Sequence, residues 1–433
     1  SSFESIELMI FWRIIYNLIL FPLLFAMFCA GSLFNKKIRA GMIGRFKSYQ
    51  DLKSFKVRIG VAKTIYWFHA SSHGEFEQVE PVLAGLKEVE PFSFSVVSFF
   101  SPSGYNHAND EHIDCKIYLP FDFPWLIRKC LNVVQPKKII LAAYDVWPNM
   151  IWVSKSIGIH STLFAAQFSE GTSKLSPVIR NFYRNVYGSL SAIYTISEQD
   201  NKRLQRILSP MKHPIVRVLG NPRYDQVKQK ADKFTAERTK SVLLRPKRLL
   251  AGSIHIEDEH AILDSIVNLM QDINDLSLIW VPHEPSDRIV SEAESFFQSK
   301  NFTTARLGLK NPDQIETKVI IVDSIGKLSQ LYWDGQVAYI GGGFSSGVHN
   351  VMEPAIARLP VFFGPHYKNF IEAKELIVDG GGFSIENGKD LYQGIKNLLE
   401  DRVAFIKASY AATEVIHRNL GSATRIVRNL IHD

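Results

Sequence analysis

From Lys63 onward the chain repeats one rhythm, a short apolar run followed by a segment of helix length. The runs in the first half are Thr64–Phe68, Ser93–Phe99, Lys138–Ala142, Ser161–Ala165, Ala192–Ile196 and Val216–Leu219. In the second half they are Arg248–Ala251, Ser277–Val281, Thr303–Leu307, Val319–Val322, Val337–Ile340 and Val361–Phe363. A parallel neighbour can be reached only by a crossover, so strands alternating with helix-length segments predict parallel sheets built from βαβ units. The polar stretch from Arg223 to Lys247, rich in Lys, Arg and Gln, separates the two series. The expectation is therefore an α/β chain of two Rossmann-like, doubly wound domains facing across a cleft, where the strand carboxyl ends converge and ligands bind. The length of 433 residues agrees, being too great for a single core. The boundaries predicted are 1–45, 46–225, 226–402 and 403–433, the last a helical segment expected to pack back across the join.

Leu8 to Phe34 is dominated by Leu, Ile, Phe and Met. As a helix, Ile14 to Ala30 would cover roughly 25 Å, slightly short of a hydrocarbon core of about 30 Å, so it spans with help from its flanks or lies partly embedded. Lys36, Lys37, Arg39, Arg45 and Lys47 come directly after it, and a basic flank keeps the rest of the chain on the cytoplasmic side. A cleaved signal peptide ending near Ala30-Gly31-Ser32 and a buried core helix are the competing readings. The basic flank and three cysteines without a disulfide or metal spacing favour an anchor and a reducing compartment. The net charge of +7 suits an anionic partner. With no long Lys/Arg run and no zinc-finger spacing, nucleic acid is the least supported of the anionic partners.

The stretch WFHASSHGEFEQVEPVLAGL, Trp67 to Leu86, passes from a strand through small residues into a helix. Val79, Val82, Leu83 and Leu86 fall on one helical face, which places Glu75 in the first turn. A carboxylate there is favoured by the helix dipole and reads as a cap; kept ionised in that way, it also reads as a general base. Spacing leaves both open. Ala70, Ser71, Ser72 and Gly74 leave room for a substrate close to the backbone.

The second informative stretch runs from Tyr339 to Ala373. A strand enters Gly341-Gly342-Gly343, and a helix is predicted from about Asn350 with Glu353 in its first turns. Glycines let backbone N–H groups approach an anionic oxygen, and a carboxylate such as Glu353 can accept from two ribose hydroxyls. Ser253 and His255 lie in a strand-to-helix turn available to a phosphate, and His283 sits in V-P-H-E-P. His255, His283, His349 and His366 share no metal motif, so phosphate or base contacts are preferred and no metal is expected.

These residues resemble a family. H-A-S-S-H-G-E (His69 to Glu75), W-P-N (Trp147 to Asn149), S-E (Ser169-Glu170), G-N-P-R-Y-D (Gly220 to Asp225), H-N-V-M-E-P (His349 to Pro354) and G-P-H-Y-K-N-F (Gly364 to Phe370) are similar to motifs of the 3-deoxy-D-manno-octulosonic acid (Kdo) transferases of lipopolysaccharide synthesis. The resemblance implies a GT-B glycosyltransferase, with 46–225 the acceptor domain and 226–402 the CMP-Kdo domain. It implies transfer of Kdo from CMP-Kdo to a lipid A precursor (lipid IVA) with no cofactor and no metal in the transfer step. The implied location is the cytoplasmic side of a Gram-negative inner membrane, against an anionic surface. It makes Glu75 the base and gives Glu353 the CMP ribose, with Gly341, Gly342, Gly343, Ser253 and Asn350 near the nucleotide and His255 and His283 on the donor side.

Departures from the family pattern remove positive charge. Ala143-Tyr144-Asp145 stands where the family has Glu-Thr-Glu, Gln167 and Gly171 where it has arginines, and Pro282-His283-Glu284 where it has P-R-H. Ser72, Asp145, Lys174, Arg223 and Lys368 are the remaining candidates for the acceptor and for neutralising charge. A nucleotide-sugar 2-epimerase of the same architecture and a non-catalytic member that only binds lipid A or CMP are the alternatives.

Overall fold

The computed structural model describes residues 10–60, 63–169, 171–210, 214–235 and 241–433. It divides into two compact units, Ser1–Gln226 with Gly421–Asp433, and Val227–Leu420.

Unit 1 is built on a parallel sheet of β1 (Ile65–Ala70), β2 (Phe94–Phe99), β3 (Cys115–Tyr118), β4 (Lys138–Ala142), β5 (His160–Ala166), β6 (Ala192–Thr195) and β7 (Ile215–Val218), in the order β3-β2-β1-β4-β5-β6-β7. Successive strand residues point to opposite faces. Ile65 and Trp67 of β1, with Ile139 and Leu141 of β4, enter one core cluster. Tyr66 and Phe68, with Ile140 and Ala142, enter the other. Both faces are thus covered, as a parallel sheet requires. The helix His73–Val89 buries Phe76, Val79, Val82, Leu83 and Leu86, and Ile426, Val427 and Leu430 of the helix Ser422–His432 join the same cluster.

Unit 2 repeats the plan with β8 (Arg248–Ile254), β9 (Ser277–Pro282), β10 (Thr304–Arg306), β11 (Val319–Ile321), β12 (Val337–Ile340), β13 (Val361–Phe363) and β14 (Gly382–Ser384), ordered β10-β11-β9-β8-β12-β13-β14. In unit 1 the chain winds outward in both directions from its first strand; in unit 2 it does so from β8 toward β14, while on the other side β10 takes the edge and β11 fills the place between β10 and β9. The point where winding reverses lies between β1 and β4 in unit 1 and between β8 and β12 in unit 2, and such points open a crevice at the strand carboxyl ends. β3 and β14, absent from the strands expected on hydrophobicity, are both edge strands.

The stretch from Ile10 to Phe34 is one continuous helical run, long and apolar enough to cross a membrane. One side of it is docked on unit 1. Tyr16 and Phe21 are buried in a core cluster with Leu24, Phe25 and Phe28 partly buried beside them, and the Phe21 ring meets Phe123 edge-on at 4.8 Å. Leu18, Leu23, Met27, Leu33 and Phe34 stay exposed. The next helix, Lys36–Ile59, is capped by Asn35, whose side chain accepts from Lys37 and Ile38.

The polar stretch that separates the two series of strands is helical over Arg223–Thr235, and the division between units falls inside that helix; 236–240 lie outside the described residues. Only part of 403–433 returns to unit 1. The helix Arg402–Arg418 stays with unit 2 because its apolar side, Phe405, Ala412, Val415 and Ile416, is buried there and Thr413 Oγ1 donates to the Ala355 carbonyl.

Candidate active site

In unit 1 the loops after β1 and β4 carry the candidate chemistry. Glu75 is the third residue of its helix, and its Oε2 accepts the Ser72 N–H at 3.0 Å. It therefore is a cap, and being a cap does not remove it from chemistry. Burial, then the nearby Asp145 charge, push its carboxyl up to about 7, outweighing the lowering by the Ser72 and Ser71 backbone N–H groups. The expectation that the helix terminus keeps Glu75 fully ionised is corrected by this: desolvation is the larger effect. A carboxylate that exchanges its proton near neutrality is suited to general base work.

Asp145 is itself raised by burial, with Lys174 opposing. Burial pushes the Lys174 ammonium down to about 8, against the pull of Asp145. Its Nζ donates to Tyr187 Oη at 2.8 Å and lies 4.8 Å from the Tyr183 ring centroid. Lys174 thus brings a positive charge to a region where Gln167 is engaged by the Tyr144 hydroxyl at 2.7 Å. Ala143, directly after β4, is a non-glycine residue at φ 60°, a strained backbone of the kind found where function constrains it. Gly74 is exposed, and a Cβ added there would meet nothing within 4 Å. The fold gives no steric reason for that glycine.

Three of the quoted motifs act as fasteners. His69 is fully buried, with Nδ1 at 3.0 Å from the Ser98 carbonyl, and burial drives its imidazole down to about 3, so it stays neutral. Asn149 of W-P-N, with Met150, gives its backbone N–H to the buried Asp122 at 3.0 Å. Asp122 also accepts the Tyr16 hydroxyl at 2.8 Å, while the Asn149 amide bonds Asn17 at 2.8 Å. The motif therefore clasps the N-terminal helix to the core. In G-N-P-R-Y-D, Asp225 accepts the N–H groups of Gly421 and Ala423 at 2.7 and 2.8 Å, capping the C-terminal helix. Arg223 pairs with Glu77 at 3.1 Å, which commits its charge. Ser169 is exposed, and its motif partner Glu170 lies outside the described residues.

In unit 2 the crevice is lined from three adjacent strands. His255 follows β8, His283 follows β9 and His349 lies in the loop after β12. Their ligating nitrogens fall within 4.8 Å of one another, a proximity a metal ion could use. The ring planes of His255 and His349 differ by only 4°, with centroids 5.0 Å apart and Nε2 atoms 2.7 Å apart. At that separation the two nitrogens address each other through a shared N–H···N bond and do not converge on a third point, so the geometry favours a proton over a metal. The His283 ring lies against both, at 4.2 and 4.6 Å.

The glycine turn is spoken for differently than its sequence suggests. Gly342 gives its N–H to the Asp258 carboxylate at 2.8 Å, and Gly341 gives its own to the Gly252 carbonyl at 2.9 Å. Asp258 also accepts from the Tyr339 hydroxyl at 2.7 Å and the His255 N–H at 3.1 Å. Close packing explains the glycines: a Cβ at Gly341 would stand 2.1 Å from the Ser253 carbonyl oxygen, and one at Gly343 would stand 2.5 Å from the Gly364 nitrogen. Ser253 is half-buried at φ 55°, where β8 shifts register. Glu353 Oε1 accepts from Lys230 Nζ at 2.7 Å, Asn350 Oδ1 takes the Met352 N–H at 3.0 Å, and Lys368 is exposed. Sequence reasoning missed Asp122 and the capping role of Asp225, because their partners are brought to them only by tertiary packing, and it missed Asp258, whose Tyr339 and Gly342 donors come from a distant strand and turn although its His255 donor is three residues away.

Two seven-stranded parallel sheets, each with polar side chains gathered where the winding reverses, give the chain a GT-B-like α/β fold. A solved structure of that architecture, the UDP-GlcNAc 2-epimerase from Neisseria meningitidis bound to UDP-GlcNAc, covers 86% of this chain and 100% of its own at 14% identity with a TM-score of 0.59. At that identity the likeness is one of fold. The family model described as 3-Deoxy-D-manno-octulosonic-acid transferase (kdotransferase) matches residues 43–226. The 3-deoxy-D-manno-octulosonic acid transferase of Chlamydia pneumoniae is 26% identical over 406 residues, covering 87% of this chain and 91% of the relative. That of Aquifex aeolicus is also 26% identical, covering 81% of this chain and 91% of its own. Over most of its length the chain is similar to 3-deoxy-D-manno-octulosonic acid transferases, and it is a glycosyltransferase.

Proposed function

We propose that this chain transfers Kdo from CMP-Kdo to a lipid A precursor, lipid IVA, in lipopolysaccharide synthesis, with inversion at the anomeric carbon. The observation that carries the reading is Glu75, a carboxyl held near neutrality at the carboxyl end of β1 beside Asp145. Its carboxylate takes the proton of an acceptor sugar hydroxyl. The hydroxyl oxygen bonds to the anomeric carbon as the bond to the CMP phosphate breaks, and CMP leaves with the electron pair. The reaction requires the acceptor at Glu75 and the donor held by unit 2 to meet in the reacting complex.

On the donor side, the N-terminus of the helix Ile256–Asp272 and the neighbouring histidines receive the phosphate charge. This moves the anion-binding role away from Gly341 and Gly342, whose N–H groups are engaged; Gly343 and Ser253 remain beside the phosphate path. Glu353 keeps Oε2 without a hydrogen bond among the described residues, which suits it to a ribose hydroxyl, and Asn350 stands next to it. Ser72 lines the acceptor side, and Lys174 and Lys368 are the cations left to the donor carboxylate or acceptor phosphates. The exposed apolar side of the Ile10–Phe34 helix and the basic residues after it hold unit 1 at the anionic cytoplasmic surface of the inner membrane, where the lipid acceptor resides.

The test mixes purified chain, freshly generated CMP-Kdo and the tetra-acylated lipid A precursor, and reads the mass of the lipid. Gain of Kdo increments supports the reading. Unchanged lipid despite measurable CMP binding would mark a member that only binds. Conversion of UDP-N-acetylglucosamine without an acceptor would mark an epimerase.

A further inference from the structure

His255, His283 and His349 form a cluster that the transfer chemistry leaves largely unexplained. The Nε2···Nε2 line between His255 and His349 holds one proton in a neutral pair, donated by one ring and accepted by the other. The exposed His283 ring is packed against both, and its nitrogens make no hydrogen bond among the described residues. A second charge in so small a space is opposed by its neighbours. Burial, then the other two rings, bring His349 down to about 4, and burial, then His255, lower His283. The charged groups that face the rings from the surrounding elements are acidic: Asp258 from the helix Ile256–Asp272 and Glu284 from the loop after β9. Asp258 is occupied by three donors. His366, from the loop after β13, turns Nδ1 to the Ser345 carbonyl at 2.7 Å.

An oxyanion entering beside this cluster meets the N-terminus of the helix Ile256–Asp272. Where P-R-H would supply a permanent charge, this chain supplies His283, an imidazole whose charge is conditional. We propose that His255, His283 and His349 form a proton-gated oxyanion site, which binds the donor's phosphodiester together with one proton taken from solvent. The proton breaks the neutrality of the cluster and the anion offsets the repulsion among the rings, so each favours the other by linkage. Acidification therefore tightens donor binding, while the base at Glu75 requires the opposite. The oxyanion's identity as the donor's phosphate rests on the transfer reading; the gating itself does not.

The test uses sulfate, a dianion that does not titrate near neutrality, with the full chain in calorimetry between about pH 5.5 and about pH 7.5, where imidazole changes charge. Uptake of one proton predicts roughly tenfold tighter binding per pH unit of acidification, and a heat that varies with the ionisation enthalpy of the buffer. Affinity that does not change with pH overturns the proposal. His283→Arg supplies the charge permanently and should tighten sulfate near neutral pH while flattening the slope; an unchanged slope also overturns it. CMP titrated in parallel separates the two readings. A chain that binds CMP but takes sulfate without a proton keeps the donor reading and loses this one. Sulfate taken with a proton by a chain that refuses CMP does the reverse.

Discussion

Glu75 accepts the Ser72 backbone N–H at 3.0 Å, so the carboxylate assigned to proton abstraction is also the cap of its own helix. The cap fixes its orientation, and burial with Asp145 sets its proton affinity. Removing Asp145's charge with Asp145→Asn lowers the Glu75 pKa, because a like charge no longer opposes ionisation. The acid limb of kcat/KM, which rises as Glu75 loses its proton near pH 7, should move to lower pH. Low-pH activity would gain up to about tenfold for every pH unit that the limb moves, offset by any positioning role of Asp145. A pH–rate profile of the variant checks the direction.

Lys174 has the opposite sign. Its ammonium, brought down to about 8 by burial, loses charge as pH rises through that value. If that charge serves the reaction, activity falls on the alkaline side near pH 8. Lys174→Arg should carry the limb upward, and Lys174→Met should lose roughly tenfold or more at neutral pH. Profiles of both variants, with the CMP affinity measured alongside, test this.

Two glycines should respond in opposite ways. Gly341→Ala places a Cβ 2.1 Å from the Ser253 carbonyl oxygen, and overpacking of that kind costs about 1–3 kcal/mol. Thermal unfolding should show the loss. Gly74→Ala meets nothing within 4 Å and should keep or slightly raise the melting temperature. An accompanying rise in the acceptor KM would show that the space belongs to substrate.

The clasp between Asp122 and the N-terminal helix should make stability depend on pH. Burial holds Asp122 at about 7, above its ordinary 3.8. A folded-state pKa raised in this way contributes stability that is fully present below the unfolded value and is lost as pH rises through the folded one. Melting temperature should therefore fall progressively from about pH 4 to about pH 7, and Asp122→Asn should flatten that fall. Tyr16→Phe removes one hydrogen bond to the carboxyl, worth about 1–3 kcal/mol, and should speed proteolysis of the helix.

The alternation of apolar runs with helical segments suffices to read twelve strands and two sheets, because burial on both faces makes central parallel strands nearly continuous in hydrophobicity. β3, with the sequence C-K-I-Y, and β14, with G-F-S, lie at sheet edges, where neither a long run nor strict alternation marks them. Glu75 is legible from its place in the first helical turn, but its proton affinity is not, since that depends on burial and on Asp145 from a different loop. The histidine cluster is invisible to spacing. Its members are far apart in sequence and meet only because β9, β8 and β12 are neighbours. W-P-N and G-N-P-R-Y-D have the look of site motifs, yet they hold the terminal helices, through Asp122 and Asp225.

The central claim is that Glu75 abstracts the acceptor proton, and it is tested most directly by comparing the chain with Glu75→Gln in Kdo transfer to the lipid A precursor, with CMP affinity measured on both. Glutamine can still accept the Ser72 N–H and cannot take a proton. The account predicts a loss of about 10²-fold or more in turnover with CMP affinity unchanged, whereas transfer by the variant at the rate of the unaltered chain would contradict it.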